Sequence, residues 1–207
     1  MLTKSDLLLY REAPMHLWAS RYYKDFNSTP SLYDQHLMKQ GYEVEKTARK
    51  LLPHADWQKT YTSGKYSTRT DALIKNTNGT YDLYEIKSTT DIEKEYFYDV
   101  TFQSIILREK IKLNKIYIVI LNKDYIRGDS LDIKSLFLIN EVTDEVKKLT
   151  PEVEEMMNNA LYIVNKEKPN HIENCLTPKT CPCLDLCHPS LPKKSIFNIP
   201  QLHPKKK

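Results

Sequence analysis

Glycine is scarce in this sequence. Only four of the 207 residues are glycine, where an average chain of this length would hold about 14. The four are too far apart to form a Walker loop or a dinucleotide-binding fingerprint, both of which use closely spaced glycines to bring the backbone against phosphate groups. The classical nucleotide-binding enzymes are therefore excluded.

Long apolar runs and scattered cysteines are also absent. The longest wholly apolar run, residues 116–121, is far too short to span a bilayer, and Asp6 interrupts any N-terminal signal-peptide core. All four cysteines lie between Cys175 and Cys187, and such clustering favours a metal site over a distributed disulfide framework. These features predict a soluble, cytoplasmic protein with no membrane partner.

Charge and composition leave a nucleic-acid partner open. The chain has 31 basic and 27 acidic residues, a formal charge of +4, which permits such a partner without requiring one. Apolar residues make up 40%, enough for a real core. We expect one α/β domain over residues 1–167. Residues 168–207, where proline and cysteine increase and periodicity is lost, are expected to form an irregular tail that packs on the same domain.

The apolar periodicity predicts an order of helix, strands, helix, strand, helix around a mixed sheet. Pro14 should divide the first helical segment, and a helix-start cluster at residues 29–31 should open the next, which ends at Pro53. Thr150 and Pro151 should open the last helix, because proline favours the first helical position. The remaining predicted elements are strands over 66–75, 81–88 and 115–122 and a helix over 97–110.

Acidic and basic side chains converge in the predicted hairpin. Asp71 lies on its first strand, and Glu85 and Lys87 share one face of its second strand because side chains alternate with a period of two. Two carboxylates can hold Mg²⁺ through hard oxygens, and a nearby ammonium can offset developing negative charge. Together with metal activation of water, this chemistry is that of phosphodiester hydrolysis. The alternative is that Glu85 and Lys87 form an ordinary solvated strand face.

The strand register tests this arrangement. If Asn78 and Gly79 formed a strict two-residue loop, Asp71 would face Ile86 and point away from Glu85. A three-residue loop or a one-residue bulge would instead place Asp71 opposite Glu85. We therefore predict such an irregularity between Asp71 and Glu85.

Asp71 followed by Glu85-x-Lys87 resembles the active-site signature of the PD-(D/E)XK nuclease superfamily. Residues 41–45, Gly-Tyr-Glu-Val-Glu, resemble the helical acid motif of its RecB-like and lambda-exonuclease-like members. Residues 99–103, Asp-Val-Thr-Phe-Gln, resemble the later helix on which those nucleases carry a functional glutamine. Residues 2–18 and the C-terminal cysteines also look like a RecB-type protein, similar to kin of the CRISPR-adaptation nucleases. In such proteins this unit can be followed by a further domain.

The resemblance implies a role for each matching residue. Asp71 and Glu85 would ligate Mg²⁺ or Mn²⁺, together with the main-chain carbonyl of Ile86, and Lys87 would assist the nucleophilic water. Glu45 would be a further ligand, although Glu43 competes for this role. Gln103 would hold the substrate or the site, or else be a satisfied buried amide.

Two departures from the family pattern concern its cofactor and its glutamine helix. The iron–sulfur members carry a cysteine just before an N-terminal proline, where this chain has Ala13. The tyrosine expected one turn after Gln103 is replaced by Leu107. Three hypotheses remain for the tail: an iron–sulfur cluster, a zinc site, or metal-free thiols with or without a disulfide. The cysteines concerned are Cys175, Cys181, Cys183 and Cys187.

The sequence thus predicts a Mg²⁺- or Mn²⁺-dependent deoxyribonuclease, with DNA as its partner and exonuclease-like action. The alternative is a non-catalytic nucleic-acid-binding or assembly module that keeps a nuclease scaffold. Ala13 favours this alternative, because it shows that one family feature has been lost. The intact set of Asp71, Glu85 and Lys87 argues against it.

Overall fold

The structure is a computed structural model that describes residues 1–23, 26, 30–165, 183–190, 192, 194, 195 and 199. These residues belong to two compact units. The first comprises residues 30–154 with Met1 and Thr3, and the second comprises Leu2, the described residues of 4–26, and those from 155 onward. The predicted domain boundary at residue 167 lies outside the described residues and stays a prediction.

The described residues form seven helices and seven strands. The helices are α1 (Lys4–Glu12), α2 (Pro14–Tyr22), α3 (Leu32–Leu51), α4 (Lys94–Arg108), α5 (Ile133–Leu136), α6 (Thr143–Val164) and α7 (Leu184–Cys187). The strands are β1 (Asp56–Trp57), β2 (Thr60–Ser63), β3 (Tyr66–Arg69), β4 (Ala72–Lys75), β5 (Tyr81–Ile86), β6 (Leu113–Leu121) and β7 (Phe137–Glu141). None of these helices has both the length and the apolar character needed to cross a membrane.

A mixed five-stranded sheet is the centre of the first unit. Its strand order is β1-β4-β5-β6-β7. β5 and β6 are parallel, whereas every other neighbouring pair is antiparallel. A parallel pair requires a crossover connection, and α4 supplies it. The predicted fold class, a mixed sheet flanked by helices, is confirmed.

The two faces of this sheet bury different clusters. On one face Leu83 of β5 packs with Val100 and Leu107 of α4 and with Val146 of α6. On the other face, side chains of β5 and β6 pack with Val44, Ala48 and Leu51 of α3. Because β5 side chains alternate, Tyr84 and Ile86 point towards α3, whereas Leu83 and Glu85 point towards α4.

The turn between β4 and β5 sets the register that matters for function. Asn76 N–H donates to the carbonyl of Thr80 at 2.8 Å, which leaves a three-residue loop in which Gly79 has φ +79°. A residue in this left-handed conformation absorbs the extra loop position, and glycine does so without strain. Ala72 consequently pairs with Tyr84. The predicted irregularity between Asp71 and Glu85 is confirmed.

Two sequence-based element boundaries are wrong. The predicted strand 66–75 is two strands, β3 and β4, which belong to different sheets and are separated by Thr70 and Asp71. The last helix does not open at Thr150, because Pro151 lies inside α6. Proline removes one helical hydrogen bond, yet the buried stripe formed by Val146, Val153, Met157 and Ala160 continues through it. Burial of this stripe outweighs the local cost of proline.

The second unit contains the predicted break at Pro14. α1 ends at Glu12, and Pro14 occupies the start of α2, where its missing N–H costs nothing. Asp6 and Arg21 join these helices through an ion pair of 2.7 Å. Cys183 and Cys187 pack against Met15 and Ala19 of α2.

Candidate active site

Glu85 and Lys87 meet at the carboxyl end of β5. The Nζ of Lys87 donates to the Oε1 of Glu85 at 2.8 Å, as the strand alternation predicts. Glu85 is only 1% exposed. The alternative that these two residues form a solvated strand face is therefore wrong. A buried carboxylate is held here against a partly buried ammonium, an arrangement that is costly unless the remaining polar atoms are also satisfied.

Helix α4 completes this arrangement with two further side chains. The Nε2 of Gln103 donates to the Oε2 of Glu85 at 2.7 Å and to the Oδ1 of Asp99 at 2.9 Å. The Nζ of Lys87 donates to the Oδ2 of Asp99 at 2.6 Å. The four side chains thus form a closed ring in which Glu85 and Asp99 accept through both oxygens, and Lys87 and Gln103 each donate to both carboxylates. We call this set the α4 ring.

The sequence of α4 explains why Asp99 and Gln103 reach the ring together. They are four residues apart, so both project from one face of the helix. That face also buries Val100 and Leu107 against the sheet, and α4 follows β5 directly as its crossover. Asp99 and Gln103 are 3% and 0% exposed. Packing of the apolar side chains of α4 therefore brings these two polar groups to Lys87 and Glu85.

The α4 ring keeps Lys87 protonated. Burial alone would lower the pKa of its ammonium, but the negative charges of Glu85 and Asp99, with their hydrogen bonds, raise that pKa above the ordinary value. The ring of Tyr96 lies 5.0 Å from Nζ and adds a cation–π contact. Lys87 is therefore a fixed cation and hydrogen-bond donor in this state, and it cannot accept a proton from water.

Asp71 lies beside the ring, across the hairpin. The pairing of β4 with β5, extended by one step from Ala72 and Tyr84, places Asp71 opposite Glu85. Its Oδ2 accepts the N–H of Ile86 at 2.9 Å, and its Oδ1 accepts from the Nε2 of Gln58 at 3.4 Å. Asp71 is thus fixed next to the peptide that joins Glu85 to Lys87.

Gln58 contacts Asp71 in the site, although no motif in the sequence predicts it. Its N–H donates to the carbonyl of Asp71 at 2.9 Å, so both its backbone and its side chain contact Asp71. Its φ is +55°, which makes it the non-glycine residue with a left-handed backbone among the described residues. Such strain concentrates at functional positions because only a specific requirement retains it. No sequence pattern indicated this conformation.

The structure does not join Glu45 to the other predicted site residues. Its carboxylate pairs with Arg49, one turn further along α3, at 2.7 Å. Its neighbours Val44 and Ala48 pack on the face of the sheet that carries Tyr84 and Ile86. Glu43 is exposed and lines a cavity of about 400 Å³ near Ser88. The role of either acid stays a prediction.

Asp99 is a second site residue that the sequence motifs do not predict. It begins the segment 99–103, in which the family resemblance assigns a role to Gln103 alone. An ionisable residue four positions before a predicted functional glutamine, on the apolar face of the same helix, is a signal that could have identified it. Gln103 itself is buried and bonded through its nitrogen, whereas its Oε1 has no hydrogen-bond partner among the described residues.

The tail cysteines are only partly described. Cys175 and Cys181 lie outside the described residues. The Sγ atoms of Cys183 and Cys187 are 3.8 Å apart and buried, a hydrogen-bonding separation and not the length of a disulfide. The three hypotheses for the tail therefore stay open.

The oxygen atoms at the end of β5 fit a hard divalent cation. One step beyond the last paired residues, Ala72 and Tyr84, the register sets Asp71 opposite Glu85, and Asp71 also accepts the N–H of Ile86. Carboxylate and carbonyl oxygens are the ligands that Mg²⁺ takes while keeping several waters. Within the described ranges, no group of three acidic, histidine or cysteine side chains is arranged to hold a metal ion. The fit is thus to an open site with two carboxylates and not to a closed cage.

Several solved structures are similar to this chain, among them the following two. A protein named SSO0001 aligns with a TM-score of 0.51 and 16% identity, over 92% of this chain and 87% of that one. An alkaline exonuclease from Laribacter hongkongensis, LHK-Exo, aligns with a TM-score of 0.47 and 15% identity, over 79% of this chain and 91% of that one. No family model and no curated protein matches the sequence. The likeness to SSO0001 shows a shared fold and nothing more.

Proposed function

We propose that this protein is a metal-dependent nuclease that hydrolyses phosphodiester bonds in DNA. One observation carries the proposal: Asp71 lies opposite Glu85, and Lys87 follows on the same side of β5. Two acids can hold a divalent cation, and a fixed ammonium beside them adds positive charge; both assist phosphoryl transfer to water. The fold class and the resemblance of Asp71 and Glu85-x-Lys87 to the PD-(D/E)XK signature support the same proposal.

Asp71, Glu85 and the carbonyl of Ile86 would hold Mg²⁺ or Mn²⁺. A bound cation of this type supplies Lewis-acid polarisation of the phosphate and lowers the pKa of a coordinated water. Glu45 is proposed as a further ligand on the family resemblance alone. To serve in that role, its carboxylate would have to leave Arg49.

Lys87 would act as a cation that orients water and offsets negative charge on the phosphate. Its donated hydrogen bonds to Glu85 and Asp99 and its raised pKa hold it in the protonated form, which favours a role as a cation over one as a general base. Gln103 would fix the orientation of the Glu85 carboxylate through the 2.7 Å hydrogen bond to Oε2. We expect exonuclease-like action, as in RecB-like nucleases.

A cleavage assay tests the proposal. The purified protein is incubated with end-labelled single-stranded DNA, duplex DNA and circular DNA, each with Mg²⁺, Mn²⁺ or EDTA. Lys87→Ala is the test variant. Lys115→Ala is its matched control, because Lys115 lies on the neighbouring strand β6 in an exposed 2.8 Å ion pair with Glu141. We expect metal-dependent cutting of ends that Lys87→Ala loses and Lys115→Ala retains.

Two results would contradict the proposal. Equal cutting by the wild type and Lys87→Ala would place the chemistry elsewhere or in a contaminant. No cutting by a folded wild type that still binds DNA in a salt-dependent manner would favour the non-catalytic binding module.

A further inference from the structure

Both carboxylate oxygens of Asp99 accept hydrogen bonds from residues of the candidate active site. Oδ2 accepts from the Nζ of Lys87 at 2.6 Å, and Oδ1 accepts from the Nε2 of Gln103 at 2.9 Å. The side chain is 4% exposed. A buried acid is costly to retain in a fold, and here it neither caps a helix nor faces solvent. Its contact with Lys87 indicates that Asp99 holds the ammonium of that lysine in place.

The ammonium of Lys87 is shared between two carboxylates. It lies 2.6 Å from Asp99 and 2.8 Å from Glu85. With Glu85 alone available, this cation would remain on the Oε1 of Glu85 and compete with any other cation for that carboxylate. A second carboxylate removes this competition, because the ammonium can stay paired while Glu85 changes partner.

We propose that Asp99 is a positioning residue that retains Lys87 when Glu85 turns to a divalent cation. This inference rests on the proposed nuclease function and extends it to a residue outside the Asp71 and Glu85-x-Lys87 signature. Gln103 assists by fixing Asp99 through its 2.9 Å hydrogen bond, so the carboxylate keeps its orientation after Glu85 has moved. Lys87 thereby stays close to the reacting phosphate instead of turning into solvent.

Asp99→Asn is the test variant. It keeps the size of the side chain but removes its charge, and its amide group places a donor against Lys87 or Gln103. Ser104→Ala is the matched control, since Ser104 lies on the same helix, is 0% exposed, and bonds only to the carbonyl of Thr101 in the hydrogen bonds described for it. Thermal melting and circular dichroism establish that each variant folds.

Three readouts are measured. Electron paramagnetic resonance of free Mn²⁺ gives the dissociation constant without any need for activity. A ¹H–¹⁵N spectrum of lysine ammonium groups follows Lys87, whose signal is assigned by its absence from Lys87→Arg. Single-turnover cleavage gives the rate of the chemical step at saturating DNA.

We expect Asp99→Asn to differ from the wild type and from Ser104→Ala in all three readouts. Its dissociation constant for Mn²⁺ rises about tenfold or more, the scale typical of lost partners of metal ligands. The Lys87 ammonium signal persists through a Mg²⁺ titration in the wild type and in Ser104→Ala, and is lost in Asp99→Asn. The single-turnover rate falls while the KM for DNA is unchanged. Asp99→Glu, which restores the charge, recovers the ammonium signal and part of the rate.

The outcomes that overturn the inference differ from those that overturn the proposed function. If the wild type binds Mn²⁺ and cuts DNA, and Asp99→Asn matches it in affinity and ammonium signal, the inference fails and the nuclease proposal stands. A folded Asp99→Glu that is as defective as Asp99→Asn also overturns the inference, because charge would then be irrelevant. If the wild type neither binds Mn²⁺ nor cuts, the proposed function itself fails.

Discussion

The carboxylate of Asp71 accepts the main-chain N–H of Ile86 at 2.9 Å. Ile86 is the residue between Glu85 and Lys87, so this hydrogen bond ties one acid of the candidate site to the backbone that carries the other acid and the lysine. Beyond Ala72 the ladder between β4 and β5 has ended, and the side chain of Asp71 replaces a backbone acceptor. Asp71 therefore has a structural role and a proposed metal-binding role that substitutions can separate.

Asp71→Asn and Asp71→Ala are expected to differ in stability but not in activity. Asparagine keeps an oxygen for the N–H of Ile86, so its free energy of unfolding should remain near that of the wild type. Alanine leaves that N–H without this acceptor, which costs about 1–2 kcal/mol. Both variants lose a charged ligand and should cut DNA at least about 100-fold more slowly, on the scale of a lost electrostatic contribution. Urea unfolding and a cleavage time course measure the two effects, and wild-type cutting by Asp71→Asn would remove Asp71 from the site.

Gln58→Gly is expected to raise the free energy of unfolding and to slow cleavage. Gln58 has φ +55°, a conformation that costs an L-residue about 1–2 kcal/mol and glycine much less. Part of that gain is cancelled by the greater freedom of glycine in the unfolded chain, so we expect the free energy of unfolding to rise by about 0.5–1 kcal/mol. Cleavage should fall several-fold because the side-chain contact with Asp71 is lost.

Gln58→Ala is the control for this pair of effects. It keeps the strained backbone and removes the same amide, so its cleavage rate should match that of Gln58→Gly without the gain in stability. If Gln58→Gly cut DNA as fast as the wild type, the contact between Gln58 and Asp71 would have no functional part.

The features that depend on local geometry were predictable from the sequence. Strand alternation places Glu85 and Lys87 on one side of β5. Counting the residues of the hairpin shows that Asp71 can face Glu85 only if the loop has three residues or one strand carries a one-residue bulge. Both deductions need only the period of a strand and the length of a turn, and both agree with the structure.

Features that depend on tertiary packing were not predictable. Asp99 reaches Lys87 only because α4 packs on the sheet face that carries Glu85, whereas α3, which carries Glu45, packs on the face that carries Tyr84 and Ile86. The start of α6 shows the same limit. Pro151 is an ordinary helix-start signal, but α6 begins before it and continues past it because burial of the apolar stripe that starts at Val146 stabilises the helix.

Gly79→Ala is expected to destabilise the hairpin while leaving its pairing intact. A Cβ at position 79 would meet nothing within 4 Å, so the loss arises from φ +79° alone and should be about 1 kcal/mol. Gly128→Ala is the matched control, because its Cβ also meets nothing and its φ lies outside the left-handed range. Cleavage at a temperature where both variants are folded should equal that of the wild type. A loss of cleavage in folded Gly79→Ala would show that the loop takes part in the site.

The raised pKa of Lys87 makes a prediction about alkaline pH. In the folded protein the ammonium keeps its proton above the ordinary value of 10.5, because the negative charges of Glu85 and Asp99 outweigh the effect of burial. The unfolded chain binds fewer protons than the folded one above that value, so stability falls as pH rises there. Below it, both states are protonated and the contribution of Lys87 is complete and constant.

Two measurements test this expected loss of stability at high pH and the assignment of Lys87 as a cation. The difference in free energy of unfolding between the wild type and Lys87→Met, from urea titrations at a series of pH values, should be constant between about pH 7 and pH 9.5 and shrink above the ordinary lysine value of 10.5. Across the same neutral range, the cleavage rate of the wild type should not rise with pH in a way that is lost in Lys87→Arg, whose guanidinium stays protonated throughout. A rise that Lys87→Arg abolished would mean that lysine loses its proton during turnover and acts as a base, and the assignment of Lys87 as a fixed cation would be wrong.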